Sequence, residues 1–533
     1  MKSVLKSSFF HLLAIYLLVT LAVSAGLLWK YSLKLDFFAV IIAVLGLFAI
    51  SEKRSFRLSS KTVQFLVITA LLFAIFVRTL PYIDNSVPLG YDAGIYKYVF
   101  DMFQESLPSI PEKSLDLWIK SGFPSGIAVM ADQFYLFGVS SGQFIIPVYI
   151  FLSAITVLPV YLVSKKYFGL EAGIFSAIMF SISLTQLNAF WYLYYRNILA
   201  LSTMLFAFYF LDGKKGQVPA ILFASATGFL HQPTFLMLAL VWVAYTITSF
   251  RDNKIFLNGL LGLAATGIVL LVTYHQRLSE LVLAPSQKVL ESVIYPGSIG
   301  SGTFYNLFTY QYISLAILPF ALLGFLVLLR QKNFNPPFLL FIINGLVVAL
   351  KLFFFNRLII SLDIAAILLA GFGLAQGIFY SKSISGNLRL GLVILIILSG
   401  AVSTTTLSSE LEPLINETQL ESIKKIPNFT EENASVMATA SAYSPWVLGY
   451  SKRITIAPGQ FDQDLWNENQ WRQFWAAGNC SEISALMEVY PKPLYVFVGK
   501  HPSSSAINMQ KFRGDCFEIA YEDEGGILYR HAG

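Results

Sequence analysis

The sequence predicts a polytopic α-helical membrane protein with about 13 transmembrane helices and a C-terminal extracytoplasmic α/β domain. Three observations carry this. Of 533 residues, 56% are hydrophobic and 13% charged, against roughly 25% charged in soluble domains. The apolar residues come in long blocks, each near the ~20 residues that cross a bilayer as a helix. After residue 408 the composition turns far more polar, with short β-branched runs.

The blocks fall at 8–29, 34–51, 62–82, 141–163, 169–188, 193–212, 217–231, 233–250, 255–275, 310–329, 336–354, 357–379 and 388–408. The first, after "MKSVLK", is long and has no clear small-residue cleavage site, so it reads as a retained helix rather than a signal peptide. With the N-terminus cytoplasmic, the inside loops "EKRSFRLSSK", "SKK", "DGKKGQ", "RDNK", "RQKN" and "SKSISGNLR" each carry at least two Lys or Arg. The outside loops "WYLYYRN" and "HQP" carry one and none, and "KYSLK" dissents with two. This alternation puts loop 83–140, loop 276–309 and the C-terminal domain outside. It also accounts for most of the +6 net charge without a nucleic-acid partner. The domain plan is two extra N-terminal helices (1–61), a transmembrane module (62–408) and the outer domain (409–533).

Loop 83–140 is long, and long loops in compact proteins are usually functional. It holds two amphipathic segments, Asp92–Glu105 and about 123–137. An apolar stripe with Lys or aromatic flanks favours a helix lying along the membrane interface. In the outer domain, "SVMATA", "RITIA" and "LYVFVG" read as strands, and "FEIAYEDEGGILYR" as a hairpin. "DLWNENQWRQFWAAG" and "SEISALMEVY" read as helices. Sequons stand at Asn416, Asn428 and Asn433. The two cysteines, Cys480 and Cys516, are both external, either bonded or free; no CxxC-type metal spacing occurs.

The polar residues at the outer membrane edge carry the chemistry. Asp92, in "PLGYDAGIYKYVFD", begins a helix and suits an N-cap, a position that also holds a carboxylate rigidly. Tyr96 lies one turn on and shares its face. Asp101 falls on the solvated side, and with Asp84 and Asp132 is a weaker candidate. Arg196, in "WYLYYRNILA", fits either a snorkelling interfacial Arg or a bidentate phosphate contact. His231, in "GFLHQPTF", is either structural or part of the same outer site. Arg357, in "KLFFFNRLIISLDIAAILLAGFG", is the strongest basic candidate, with Lys351 six residues earlier. Asp363, one to two turns deeper, cannot snorkel as easily, and ionisable groups inside spans usually face a cavity or a partner.

This layout resembles the GT-C superfamily of integral-membrane glycosyltransferases over roughly residues 62–405. "GYDAGIYKY" looks like the family's acidic motif in a long outer loop. "FPSGIAVMADQFYLFG" looks like its second juxtamembrane helix, and "NRLIISLDIAAILLAGFGLA" like its late span that begins with a phosphate-contacting Arg. The resemblance implies transfer of a sugar from a polyprenyl-phosphate-linked donor to a glycan, lipid or protein acceptor on the extracytoplasmic face. It implies Asp92 as catalytic base, with inversion, and Arg196, His231 and Arg357 at the donor phosphate. Tyr96, Lys351, Asp101 and Asp132 are weaker substrate contacts. Departures are visible. The acidic loop follows the third span, not the first. No second DxD-type motif occurs near Arg196, so a divalent metal (Mg or Mn) is not implied by the residues. "SPWVLGYSKRITIAPG" stands where the oligosaccharyltransferase has its W-W-D-Y-G acceptor motif, but only Trp446 and Gly449 match. Against a lipid or sugar transporter or flippase, no internal repeat is evident and the polar groups gather at the edge rather than mid-span. A non-catalytic GT-C-like scaffold would leave Asp92 only a cap.

Overall fold

The computed structural model describes residues 59–106, 125–211, 216–275, 284–295, 301–314, 317–376, 386–459, 462–500 and 507–532. The expected spans 8–29 and 34–51 lie outside these residues. From residue 62 onward helices stand at all the expected span positions. Among the described residues, three helices are long and apolar enough to cross a membrane, Ser60–Tyr82, Ser141–Phe168 and Asn253–Tyr274, or up to five if each bent helix pair is one span. The remaining apolar helices are shorter, among them Pro336–Ala349 and Ile359–Leu374. The chain divides into two compact units: residues 1–81, 150–190 and 194–411 form one; residues 82–149, 191–193 and 412–533 form the other.

The first unit is helical. Ile359–Leu374 is its centre, with every residue buried, packed against Leu170–Ser181, Leu318–Gln331 and Pro336–Ala349. A Cβ on Gly373 would stand 2.0 Å from the Phe320 carbonyl oxygen, so small residues allow the backbones to approach, as in membrane helix pairs. Outward faces stay apolar: Phe65, Ile68 and Leu72 on one long helix and Leu257, Leu261 and Ile268 on another are exposed. An apolar exposed stripe on so hydrophobic a helix suits lipid, not water.

The expected span 169–188 is not one straight helix. Leu170–Ser181 and Leu184–Trp191 meet at 45°. The Ser183 hydroxyl accepts from the Gln186 N–H (3.2 Å) and donates to Asp363 Oδ2 (2.8 Å). Gln186 Nε2 donates to the same oxygen (2.9 Å) and to the Ile360 carbonyl (3.1 Å). Asp363 therefore has polar partners in place of solvent, and the bend delivers them.

The second unit holds the helices Ala93–Ser106 and Gly126–Tyr135 and a five-stranded sheet. The strands β1 (Ser435–Ala438), β2 (Ile454–Ile456), β3 (Leu494–Gly499), β4 (Phe517–Glu522) and β5 (Gly526–His531) run in the order β2-β1-β3-β5-β4. The β1–β2 and β1–β3 pairs are parallel, and β3–β5 and β4–β5 antiparallel. The β4–β5 turn is fixed by Asp523, whose Oδ1 accepts from the Gly525 and Gly526 N–H groups (3.0 and 3.2 Å). Helices Glu468–Ala476 and Ser481–Met487 cover the sheet. Trp466, Trp471, Phe474, Ile483, Met487 and Phe512 fill the core between them. Cys480 and Cys516 are disulfide-bonded, with Cα atoms 5.9 Å apart.

Candidate active site

Arg196, His231 and Arg357 all belong to the first unit. Arg196 lies in the first turn of the helix Tyr195–Phe210. His231 joins two helices: its N–H closes Gln217–Leu230 on the Thr227 carbonyl (2.9 Å), and its carbonyl opens Gln232–Thr248 by accepting from Phe235 (3.1 Å). Pro233 in the first turn needs no donor there. The ring is buried, with Nδ1 2.8 Å from the Thr234 hydroxyl. That hydroxyl in turn reaches Asn197 Oδ1 at 3.5 Å, at the limit of hydrogen bonding. The charges of both Arg196 and Arg357 act on the His231 ring. Three residues from separate helix ends thus lie near enough to interact electrostatically.

Arg357 is braced on two sides. Its guanidinium carbon lies 4.8 Å from the Tyr194 ring centroid, a cation–π distance. Behind it, the Asn356 N–H donates to the Ser301 carbonyl (2.9 Å), and a Cβ on Gly302 would meet the Arg357 Cβ at 3.2 Å. Arg357 Nε is buried with no partner. A buried donor left unpaired costs free energy, and an anion would remove that cost. Lys351, in contrast, is exposed.

The backbone leading to both arginines is unusual. Leu193, three residues before Arg196, has φ 56°; Lys351 and Phe354, before Arg357, have φ 51° and 46°. Left-handed conformations of bulky residues cost about 1–3 kcal/mol and cluster at functional sites.

Asp92 belongs to the second unit and stands immediately before the helix Ala93–Ser106. Its carbonyl accepts the helix's first bond, from the Tyr96 N–H at 2.9 Å. Gly90, at φ 79°, lies against Leu193: a Cβ there would come within 2.6 Å of the Leu193 Cβ.

The other acidic candidates differ from expectation. Asp101 does not face solvent: it is buried, ion-paired with Lys97, and 3.6 Å from Lys452 Nζ. The helix as a whole is buried on most sides, not only along the stripe of Ile95 and Val99. Tyr96 is buried, its ring 5.7 Å from Phe100. Asp132 is also buried, with Oδ1 unpartnered. Burial pushes its carboxyl up to about 6. Since this lies above the ordinary carboxylate value, the folded chain binds the proton more tightly than the unfolded one. Asp132's favourable contribution is therefore complete below the ordinary value and is lost as pH rises through about 6. The Asp132→Asn variant is expected to gain melting temperature over the parent at pH 8 and to show no gain at pH 4. Melting curves at both pH values check it.

Two contributors were not anticipated from sequence. Tyr194 was hidden in the aromatic run "YLYYRN", where its neighbours look equivalent. The Asn197–Thr234–His231 chain needed the pairing of two helices. Among the described residues, no group of three or more His, Cys, Asp or Glu side chains could hold a metal ion.

No protein-family model and no curated protein sequence matches the chain. Solved structures do. The Archaeoglobus fulgidus oligosaccharyltransferase AglB, in complex with an inhibitory peptide and a dolichol-phosphate, is similar with TM-score 0.58 at 13% identity, over 82% of this chain and 69% of that one. ArnT from Cupriavidus metallidurans, bound to undecaprenyl phosphate, is similar with TM-score 0.57 at 12% identity, over 89% and 98%. The arabinofuranosyltransferase AftD from Mycobacteria gives TM-score 0.59 at 11% identity, over 90% and 40%. At these identities the likeness shows the fold alone: the chain has a GT-C-like fold.

Proposed function

We propose that the protein is a multi-pass membrane glycosyltransferase that moves a sugar from a polyprenyl-phosphate-linked donor to an acceptor hydroxyl on the extracytoplasmic face. The carrying observation is the gathering of Arg196, His231 and Arg357, with a buried guanidinium nitrogen of Arg357 lacking a partner. Arginine's planar fork suits phosphate oxygens, and two of the similar structures hold dolichol-phosphate or undecaprenyl phosphate.

In the reaction, the acceptor oxygen forms a bond to the anomeric carbon as the bond from that carbon to the phosphate oxygen breaks. The acceptor proton goes to Asp92, acting as general base. The electron pair leaves with the polyprenyl phosphate, whose growing charge Arg196 and Arg357 stabilise. One in-line displacement inverts the anomeric centre. His231, held by Thr234, positions or hydrogen-bonds the same phosphate. The cytoplasmic N-terminus and extracytoplasmic outer domain rest on the distribution of Lys and Arg.

A binding experiment tests the donor half. Polyprenyl phosphate without sugar is expected to raise the melting temperature of the full chain in lipid nanodiscs. Stabilisation at a hundredfold excess over Kd is about 2.7 kcal/mol. Uncharged polyprenol is expected to give none. Equal shifts from the two lipids would argue against a phosphate site.

A further inference from the structure

The helix that begins after Asp92 is fastened to one short segment of the outer domain, Ser441–Lys452, at three places. At its start, the Tyr91 hydroxyl donates to the Ser441 carbonyl (3.0 Å) and lies 3.1 Å from the Ser444 hydroxyl. Burial pushes the Tyr91 hydroxyl well above its ordinary pKa, so it remains a donor. In its first turn, Gly94 touches backbone: a Cβ there would sit 1.9 Å from the Pro445 carbonyl oxygen. The contact is reciprocal, because a Cβ on Gly449 would sit 2.1 Å from the Gly94 carbonyl oxygen. Further along, Lys452 pairs with Glu105 and with Asp101. Burial disfavours the Lys452 charge, but Glu105 and Asp101 outweigh it and hold the ammonium above its usual pKa. Lys452 itself is left-handed, at φ 54°, and ends the π-helical turn Val447–Ser451.

These contacts lie on both sides of Asp92 in sequence, at residues 91 and 94. Neither Gly94 nor Gly449 tolerates a side chain without moving backbone that leads directly to Asp92. Mere cohesion of the domain does not require this. The sheet and the disulfide lie elsewhere in the unit, and the core of Trp466, Trp471 and Phe474 does not include the Asp92 helix.

We propose that Ser441–Lys452 is a positioning element for Asp92: the outer domain sets the place of the carboxylate through Tyr91, Gly94 and Lys452. It follows that the residues standing where an acceptor motif stands in the oligosaccharyltransferase act here, at least in part, on the base. The proposal rests on the reading of Asp92 as the general base.

The test uses the full chain in nanodiscs with a polyprenyl-phosphate sugar donor. Gly449→Ala is expected to lower kcat on the order of 10²-fold, the scale of an ångström-size misplacement, with KM for the donor unchanged. Tyr91→Phe, which removes only the two hydrogen bonds, is expected to lower kcat by up to about tenfold, again with unchanged KM. In both, the acid limb of the pH–kcat profile is expected to move, because the surroundings of the carboxylate change. A purely structural role predicts loss of folded protein with kcat per folded molecule and the acid limb unmoved, and that result would overturn the proposal. If Gly449→Ala does not fold, Tyr91→Phe decides alone. Should Asp92→Asn be inactive while both variants keep parental kcat, positioning fails and the base stands. Should Asp92→Asn be fully active, the base itself fails, and the proposal with it.

Discussion

Asp92→Asn is expected to lower sugar transfer about 10²–10⁴-fold, the usual contribution of a positioned general base, while leaving the fold intact. Asn keeps the size of the side chain and can still cap a helix. It cannot accept the acceptor's proton at neutral pH. The backbone that places residue 92 is untouched: the Tyr96 N–H still bonds its carbonyl, and Gly90 still lies on Leu193. Donor binding, measured by the melting shift with polyprenyl phosphate, is expected to match the parent. Activity lost with binding kept separates a base from a cap. A scaffold role for the same residue would leave both unchanged.

Arg357→Met is expected to have the opposite signature. Met keeps much of the apolar stem, so contact with Tyr194 is largely preserved, but the charge and all donors are gone. The variant should lose the polyprenyl phosphate melting shift and lower kcat/KM about 10²–10³-fold, the scale of removing one stabilising donor from a developing anion. Arg357→Lys should recover only part of this, since an ammonium lacks the planar fork. The apo protein should be no less stable than the parent, because Arg357 Nε is buried without a partner and its removal ends that cost. A variant that binds polyprenyl phosphate as the parent does would remove Arg357 from the phosphate site.

Local signals made much of the fold legible. The helix Ala93–Ser106 and all five strands lie within a few residues of their expected places. Each is announced by a cap, a turn or a period of apolar residues. Asp523 and the glycines after it set the β4–β5 turn by themselves. The bend at Ser183 was not read from the sequence: its S-x-x-Q pattern, a helix-start signature, sits inside a hydrophobic run that reads as one continuous span. Asp101 was misjudged for another reason. Helical periodicity puts it opposite the apolar stripe, and it says nothing of Lys452, which is 351 residues away and fills that side. Tyr194 and the Ser301–Gly302 turn are of the same kind. They support Arg357 across long sequence distances, and no spacing rule finds such pairs. The candidate cations themselves were visible because a charge at the end of an apolar span is conspicuous against its neighbours.

The most direct measurement is donor turnover. The full chain in nanodiscs would be given a labelled polyprenyl-phosphate sugar with membrane extract as acceptor, beside Asp92→Asn. The parent is expected to release polyprenyl phosphate and to form a product of inverted anomeric configuration, and Asp92→Asn to release almost none. Retention of configuration, or equal release by the two proteins, would contradict it.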